Sequence, residues 1–76
     1  MGRMVEGEHV IVKGAKLENK TCGYVREEYK AKIVCIRQGA TEKKDPSDDL
    51  ELKEGMYVQY EAPFDQALRF LKDSCS

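Results

Sequence analysis

Ile33-Val34-Cys35-Ile36-Arg37-Gln38-Gly39 decides how this chain is read. Four apolar residues stand in a row, and Ile33, Val34 and Ile36 are β-branched, which favours extended backbone. The run does not alternate with polar residues, which suits a central strand covered on both faces. Gln38-Gly39 then turns the chain. A strand is therefore placed over Ala31 to Arg37, and the other elements are arranged around it.

Upstream, Thr21 is a good helix N-cap type. After it, Cys22, Val25 and Tyr29 recur at helical spacing, with Arg26, Glu27 and Glu28 pointing outward. Gly23 weakens this helix by about 1 kcal/mol relative to alanine, so about two turns are expected. Further back, Val10-Ile11-Val12 centre a strand over Glu8 to Lys13, which Gly14 ends. Met1 to Glu8 reads as a partly disordered leader.

Downstream, Ala40 to Lys44 suits a short polar edge strand whose lysines discourage aggregation. Asp45-Pro46-Ser47-Asp48-Asp49 is dense turn chemistry. Met56, Val58 and Tyr60 alternate with Tyr57 and Gln59, the pattern of a one-sided strand. Pro63 fits the first position of a helix. Phe64, Ala67, Leu68 and Leu71 form its apolar face. Asp65 near its start and Arg69 and Lys72 near its end suit the helix dipole. The order is β-α-β-β-β-α: an α+β domain with a small mixed sheet of three or four strands and two short helices. It spans residues 9–73, with 74–76 as a frayed tail.

With 76 residues the chain is one domain. A core of that size supplies little net stability, so a disulfide, a metal or a partner chain is expected to assist. The three cysteines, Cys22, Cys35 and Cys75, are odd in number and have no Cys-x-x-Cys spacing, which points to a reducing, cytoplasmic setting. His9 is the single histidine, and the Asp45, Asp48, Asp49 cluster lacks the pattern of a calcium loop, so no metal is expected. That leaves self-association. The 13 basic and 14 acidic residues give a net charge of −1, which argues against nucleic acid as a partner. The sequence has no phosphate-binding loop, and its serines and His9 form no recognisable nucleophile–base set, so the expectation is not an enzyme.

From Val10 to Lys72 the chain resembles the RCK_C (TrkA-C) family, the C-terminal lobes of regulators of potassium conductance. The pieces lie in order. Gly14-Ala15-Lys16-Leu17 is similar to the family's glycine-small-x-leucine start. Asn19-Lys20-Thr21 resembles its Gly-Lys-Thr approach to the first helix, with Asn19 in place of glycine. Arg26-Glu27-Glu28-Tyr29 resembles Arg-x-x-Tyr, and Ile33 to Gly39 resembles Val-Val-x-Ile-Arg-Arg-Gly. Asp45-Pro46 to Leu50 is similar to a Pro-x-x-x-x-Leu loop. Lys53 to Val58 resembles x-x-Gly-Asp-x-Leu. Met56 stands where the family has an acidic residue and Gln38 where it has a second arginine.

The resemblance implies a non-catalytic regulatory domain that forms a homodimer. It would sense a small ligand, in some members cyclic di-AMP, in a cleft between subunits, and serve a potassium channel or transporter. No cofactor is implied. Arg26, Tyr29, Ile36, Arg37 and Pro46 are the residues placed near the ligand. In the family a nucleotide-binding lobe usually precedes this domain, so a piece of a longer protein or a stand-alone variant is expected.

Two other readings stay open. Gly7 to Gly14 followed by Gly23-Tyr24-Val25 is faintly similar to the KOW motif of nucleic-acid-binding small barrels, with Lys13, Lys16, Lys20, Arg26, Lys30 and Lys32 as a basic face. A plain protein-interaction module would use Tyr57 and Phe70 as an exposed aromatic surface.

Overall fold

The computed structural model describes residues 3–75. Its elements are β1 (Met4–Val10), α1 (Cys22–Tyr29), β2 (Lys32–Gln38), β3 (Thr41–Lys44), β4 (Tyr57–Pro63) and α2 (Phe64–Cys75). The sheet order is β1-β4-β2-β3, and every pairing is antiparallel, where a mixed sheet was expected. The α+β class and the β-α-β-β-β-α order are those of the sequence reading. Met1, Gly2 and Ser76 lie outside the described residues, and with them the ends of the expected leader and tail.

Residues 4–8 are strand rather than leader. Met4 to Val10 pairs with Pro63 to Tyr57 along its whole length. Glu6, Gly7 and Glu8 have low strand propensity, and the pairing with β4 overrides it. Ser74, expected to fray, is fully buried. Its hydroxyl donates to the Phe70 carbonyl and faces His9.

Both helices pack on one face of the sheet. Val25 and Tyr29 from α1, Phe70 and Ala67 from α2, and Ile33, Ile36, Val58, Tyr60 and Ala62 from the strands form the core with Ile11, Leu17 and Leu52. The apolar run of β2 does not come from cover on both faces. A bulge between Ile33 and Cys35 shifts the register, so Ile33 and Ile36 both point to the core.

Thr21 caps α1 by accepting from the Tyr24 backbone N–H at 3.0 Å, as its residue type implies. Pro63 is the last residue of β4 rather than the first of α2. The buried face of α2 is Ala67, Phe70 and Ser74; of the expected Phe64, Ala67, Leu68 and Leu71, only Ala67 is buried. Phe70 is 0% exposed, with rings of Tyr60 at 4.5 Å and His9 at 4.9 Å around it. It is therefore a core residue, and Tyr57 and Phe70 form no shared exposed surface. Nor is there a small barrel: the sheet is open, with β1 and β3 as its edges and α2 in the core. No helix among the described residues is long and apolar enough to cross a membrane.

Candidate ligand-binding site

α1 and the loop after β3 approach each other closely, and Gly23 permits it. A Cβ at Gly23 would sit 3.0 Å from Asp48 Cβ and 3.2 Å from its carbonyl oxygen. The Gly23 N–H donates to that carbonyl at 3.0 Å. One turn further along α1, Arg26 Nη1 donates to both carboxylate oxygens of Asp48 at 2.5 Å.

Between this helix, the start of β2 and the loop lies a cavity of about 220 Å³, lined by Cys22, Arg26, Lys32, Ile33, Pro46 and Asp48 among others. The open side of β2 helps to form it. β3 pairs with β2 only from Cys35 to Gln38, so Lys32 and Ile33 have no strand beside them there. Pro46 gives the loop a rigid apolar wall beside the guanidinium. Arg26 is held firmly protonated, first by its hydrogen bonds to Asp48 and then by that carboxylate's charge. Burial, with Asp48 second, pushes the Cys22 thiol up to about 11, so it stays neutral and unreactive.

The five residues singled out in the sequence do not all meet here. Arg26 and Pro46 line the cavity together. Tyr29 is buried, donates to Asp73 at 2.5 Å and has its pKa raised, mainly by burial. Ile36 is a core residue. Arg37 points to the opposite face of the sheet, where it pairs with Glu42 at 2.9 Å and lies over the Tyr57 ring at 5.7 Å. Lys32 and Asp48 were not among these five: Lys32 was named only for a nucleic-acid face, and Asp48 only in the acidic cluster. Their signal was the loop itself, which had to fold over the nearest strand start.

A larger depression of about 380 Å³ lies on the uncovered face of the sheet, walled by Glu6, Glu8 and Glu61. Three carboxylates repel an anion, so its size does not recommend it for a phosphate-bearing ligand. Among the described residues no cluster of His, Cys, Asp or Glu has the geometry to hold a metal. Cys22, Cys35 and Cys75 are free.

No family model and no curated protein matches the sequence. Solved structures do match. The RCK_C domain dimer of S. agalactiae BusR in complex with c-di-AMP aligns with a TM-score of 0.78 at 17% identity, over 91% of this chain and 93% of that one. S. agalactiae BusR in complex with its busAB-promotor DNA gives 0.78 and 17% over 91% of this chain, which there spans 35% of the BusR chain. The GsuK channel bound to NAD gives 0.70 and 19% over 93% of this chain and 13% of that one. This chain has the fold of an RCK_C domain, as the sequence resemblance implies.

Proposed function

We propose that the chain is a non-catalytic regulatory domain of the cytoplasm that dimerises, senses a small anionic ligand, and serves a cation channel or transporter. One observation carries this reading: the cavity that joins Arg26, Lys32 and Pro46 is too small for a nucleotide. At about 220 Å³ it falls below the roughly 300–1,000 Å³ of ordinary small-molecule pockets. It is sized as half a site, completed by a second copy across a two-fold axis. A cyclic dinucleotide has matching two-fold symmetry and two phosphates, one for each Arg26. In BusR the same fold, as a dimer, is in complex with c-di-AMP.

Within this proposal Arg26 contacts phosphate and Pro46 packs against a base or ribose. Tyr29 and Ile36 support the site from the core by holding α1 and β2. Arg37, on the other face, reaches the ligand only through the second copy. The test is calorimetric titration with cyclic di-AMP, with the oligomeric state followed by sedimentation. One ligand per two chains, lost in Arg26→Ala, supports the reading. A monomer that binds no cyclic dinucleotide overturns it.

A further inference from the structure

α2 runs beside β1 in the same direction. The Phe64 N–H donates to the Arg3 carbonyl at 2.8 Å at one end, and the Val12 N–H to the Ser74 carbonyl at 3.0 Å at the other. α1 holds the opposite flank of α2 through Tyr29 and Asp73. The flank of α2 turned away from α1 is apolar and uncovered: Phe64 is 50% exposed, Leu68 56% and Leu71 42%, with Cys75 also exposed. Three of the seven exposed large apolar side chains among the described residues, Phe64, Leu68 and Leu71, lie on this one flank. Such a concentration marks an interaction surface.

The spacing 64-68-71-75 is the four-three-four step of the seam between paired helices. Asp65 and Lys72 each directly follow a seam residue, so both border the same side of it, and both are exposed. We propose that this seam packs against the seam of a second copy, with the two α2 helices antiparallel. A two-fold axis between Leu68 and Leu71 sets Leu68 on Leu71 of the second copy, and Phe64 on its Cys75. It also brings Asp65 beside Lys72 of the second copy, twice. In a parallel pair the two Asp65–Lys72 edges would lie on opposite sides of the seam, and neither ion pair would form. The charges therefore select the antiparallel arrangement. The helices carry the contact, because strand pairing about Gly7 would face Glu6 with Glu8, and like charges opposite each other are unfavourable.

This face borders β1, while the Arg26 cavity lies by β2 and β3 at the other edge of the sheet. The two contacts are separate. A chain that uses both joins ligand-bound dimers into a larger assembly. The seam is short, so the contact belongs among weak interfaces that bury less than about 1,200 Å².

Sedimentation velocity on the full chain over a range of concentrations tests the proposal, with circular dichroism confirming the fold of each variant. Asp65→Lys and Lys72→Asp should each weaken association by about tenfold, since each turns two attractions into repulsions. The double reversal should restore it. Leu68→Glu should abolish it and leave cyclic di-AMP binding unchanged, whereas Arg26→Ala should do the converse. In a Phe64→Cys variant, a mild oxidant should join the new thiol to Cys75 of the second copy. Single reversals that are not rescued by the double, or crosslinks between the two Cys75 thiols alone, overturn the proposal.

Discussion

His9 Nε2 lies 2.8 Å from Ser74 Oγ, whose own proton goes to the Phe70 carbonyl at 2.8 Å. With its proton committed, the serine hydroxyl can only accept from the imidazole. Nε2 therefore carries a proton, and Nδ1, buried without an acceptor for a second one, favours the neutral ring. The ring lies among aromatic neighbours, 5.1 Å from the centre of Tyr60 and 4.9 Å from Phe70.

Burial lowers the His9 pKa from its ordinary value of 6.5, because a charged imidazole is poorly solvated there. The unfolded chain then takes up a proton at a pH where the folded chain does not. The stability from neutral His9 is full above pH 6.5 and falls as the pH drops through 6.5 towards the lowered folded value, below which it levels off. Urea denaturation at a series of pH values from 8 to 5 should show this acid loss at the histidine's pH. In His9→Phe that component should vanish, at a cost of about 1 kcal/mol at pH 8 for the lost hydrogen bond. An unchanged pH profile in the variant would show that His9 is not the titrating group.

Gly7 sits opposite Tyr60 in the β1–β4 register, and the tyrosine ring lies over the bare backbone. A Cβ there would come within 2.6 Å of Tyr60 Oη and 2.7 Å of Cζ. The ring cannot swing aside, because Phe70 packs edge-on against it at 4.5 Å. Gly7→Ala should destabilise the domain by about 1–3 kcal/mol, the usual range for overpacking a core. Thermal melting should fall by about 4–8 °C for each kcal/mol. Adding Tyr60→Phe should recover only part of this, since Cζ remains in the way.

Lys30 ends α1 in the left-handed region with φ +55°, and its N–H donates to the Arg26 carbonyl at 3.0 Å. A side chain pays about 1 kcal/mol for that conformation, and glycine does not. Lys30→Gly should therefore stabilise the domain by about 0.5–1 kcal/mol in denaturant melts, with Lys30→Ala close to neutral. Asn19 is the same argument already answered in the sequence. It stands where the resembled family has glycine and takes φ +73°, a region asparagine tolerates better than most residues.

The strands and the first helix were legible where spacing and propensity agreed: Cys22, Val25 and Tyr29 are the buried face of α1. α2 misled because its regular apolar stripe is not its core face. Phe64, Leu68 and Leu71 lie about a quarter-turn away from Ala67, Phe70 and Ser74. The buried serine looks polar in sequence, and only the bonds to His9 and Phe70 explain its place. β1 was read too late in the chain for a similar reason, since Gly7 serves the Tyr60 ring rather than strand propensity. At the site, Arg26 and Pro46 were legible through the resemblance. Asp48 was not, because its role depends on the loop folding back onto Gly23.

That carboxylate now occupies the guanidinium a phosphate would need. Asp48 holds Arg26 at 2.5 Å, and both side chains are about half exposed. A phosphate entering the cavity must displace Asp48 or share Arg26 with it. The loop does not depend on this pair, since the Gly23 N–H to Asp48 carbonyl bond at 3.0 Å and the Leu50 N–H to Ser47 carbonyl bond at 3.1 Å are backbone contacts. Asp48→Asn should leave the fold intact and leave the guanidinium only its longer contact with Glu27 at 3.7 Å. Removing an exposed competing charge of this kind should tighten cyclic di-AMP binding by about two- to fivefold. It should also steepen the salt dependence, since Arg26 and Lys32 would then face the ligand with only Asp45 as an opposing charge in the cavity. Isothermal titration of the wild type and Asp48→Asn at two salt concentrations reads both effects. If binding weakens instead, Asp48 is a positioning residue that aims Arg26 at the phosphate, and Asp48→Glu should then rescue part of the loss.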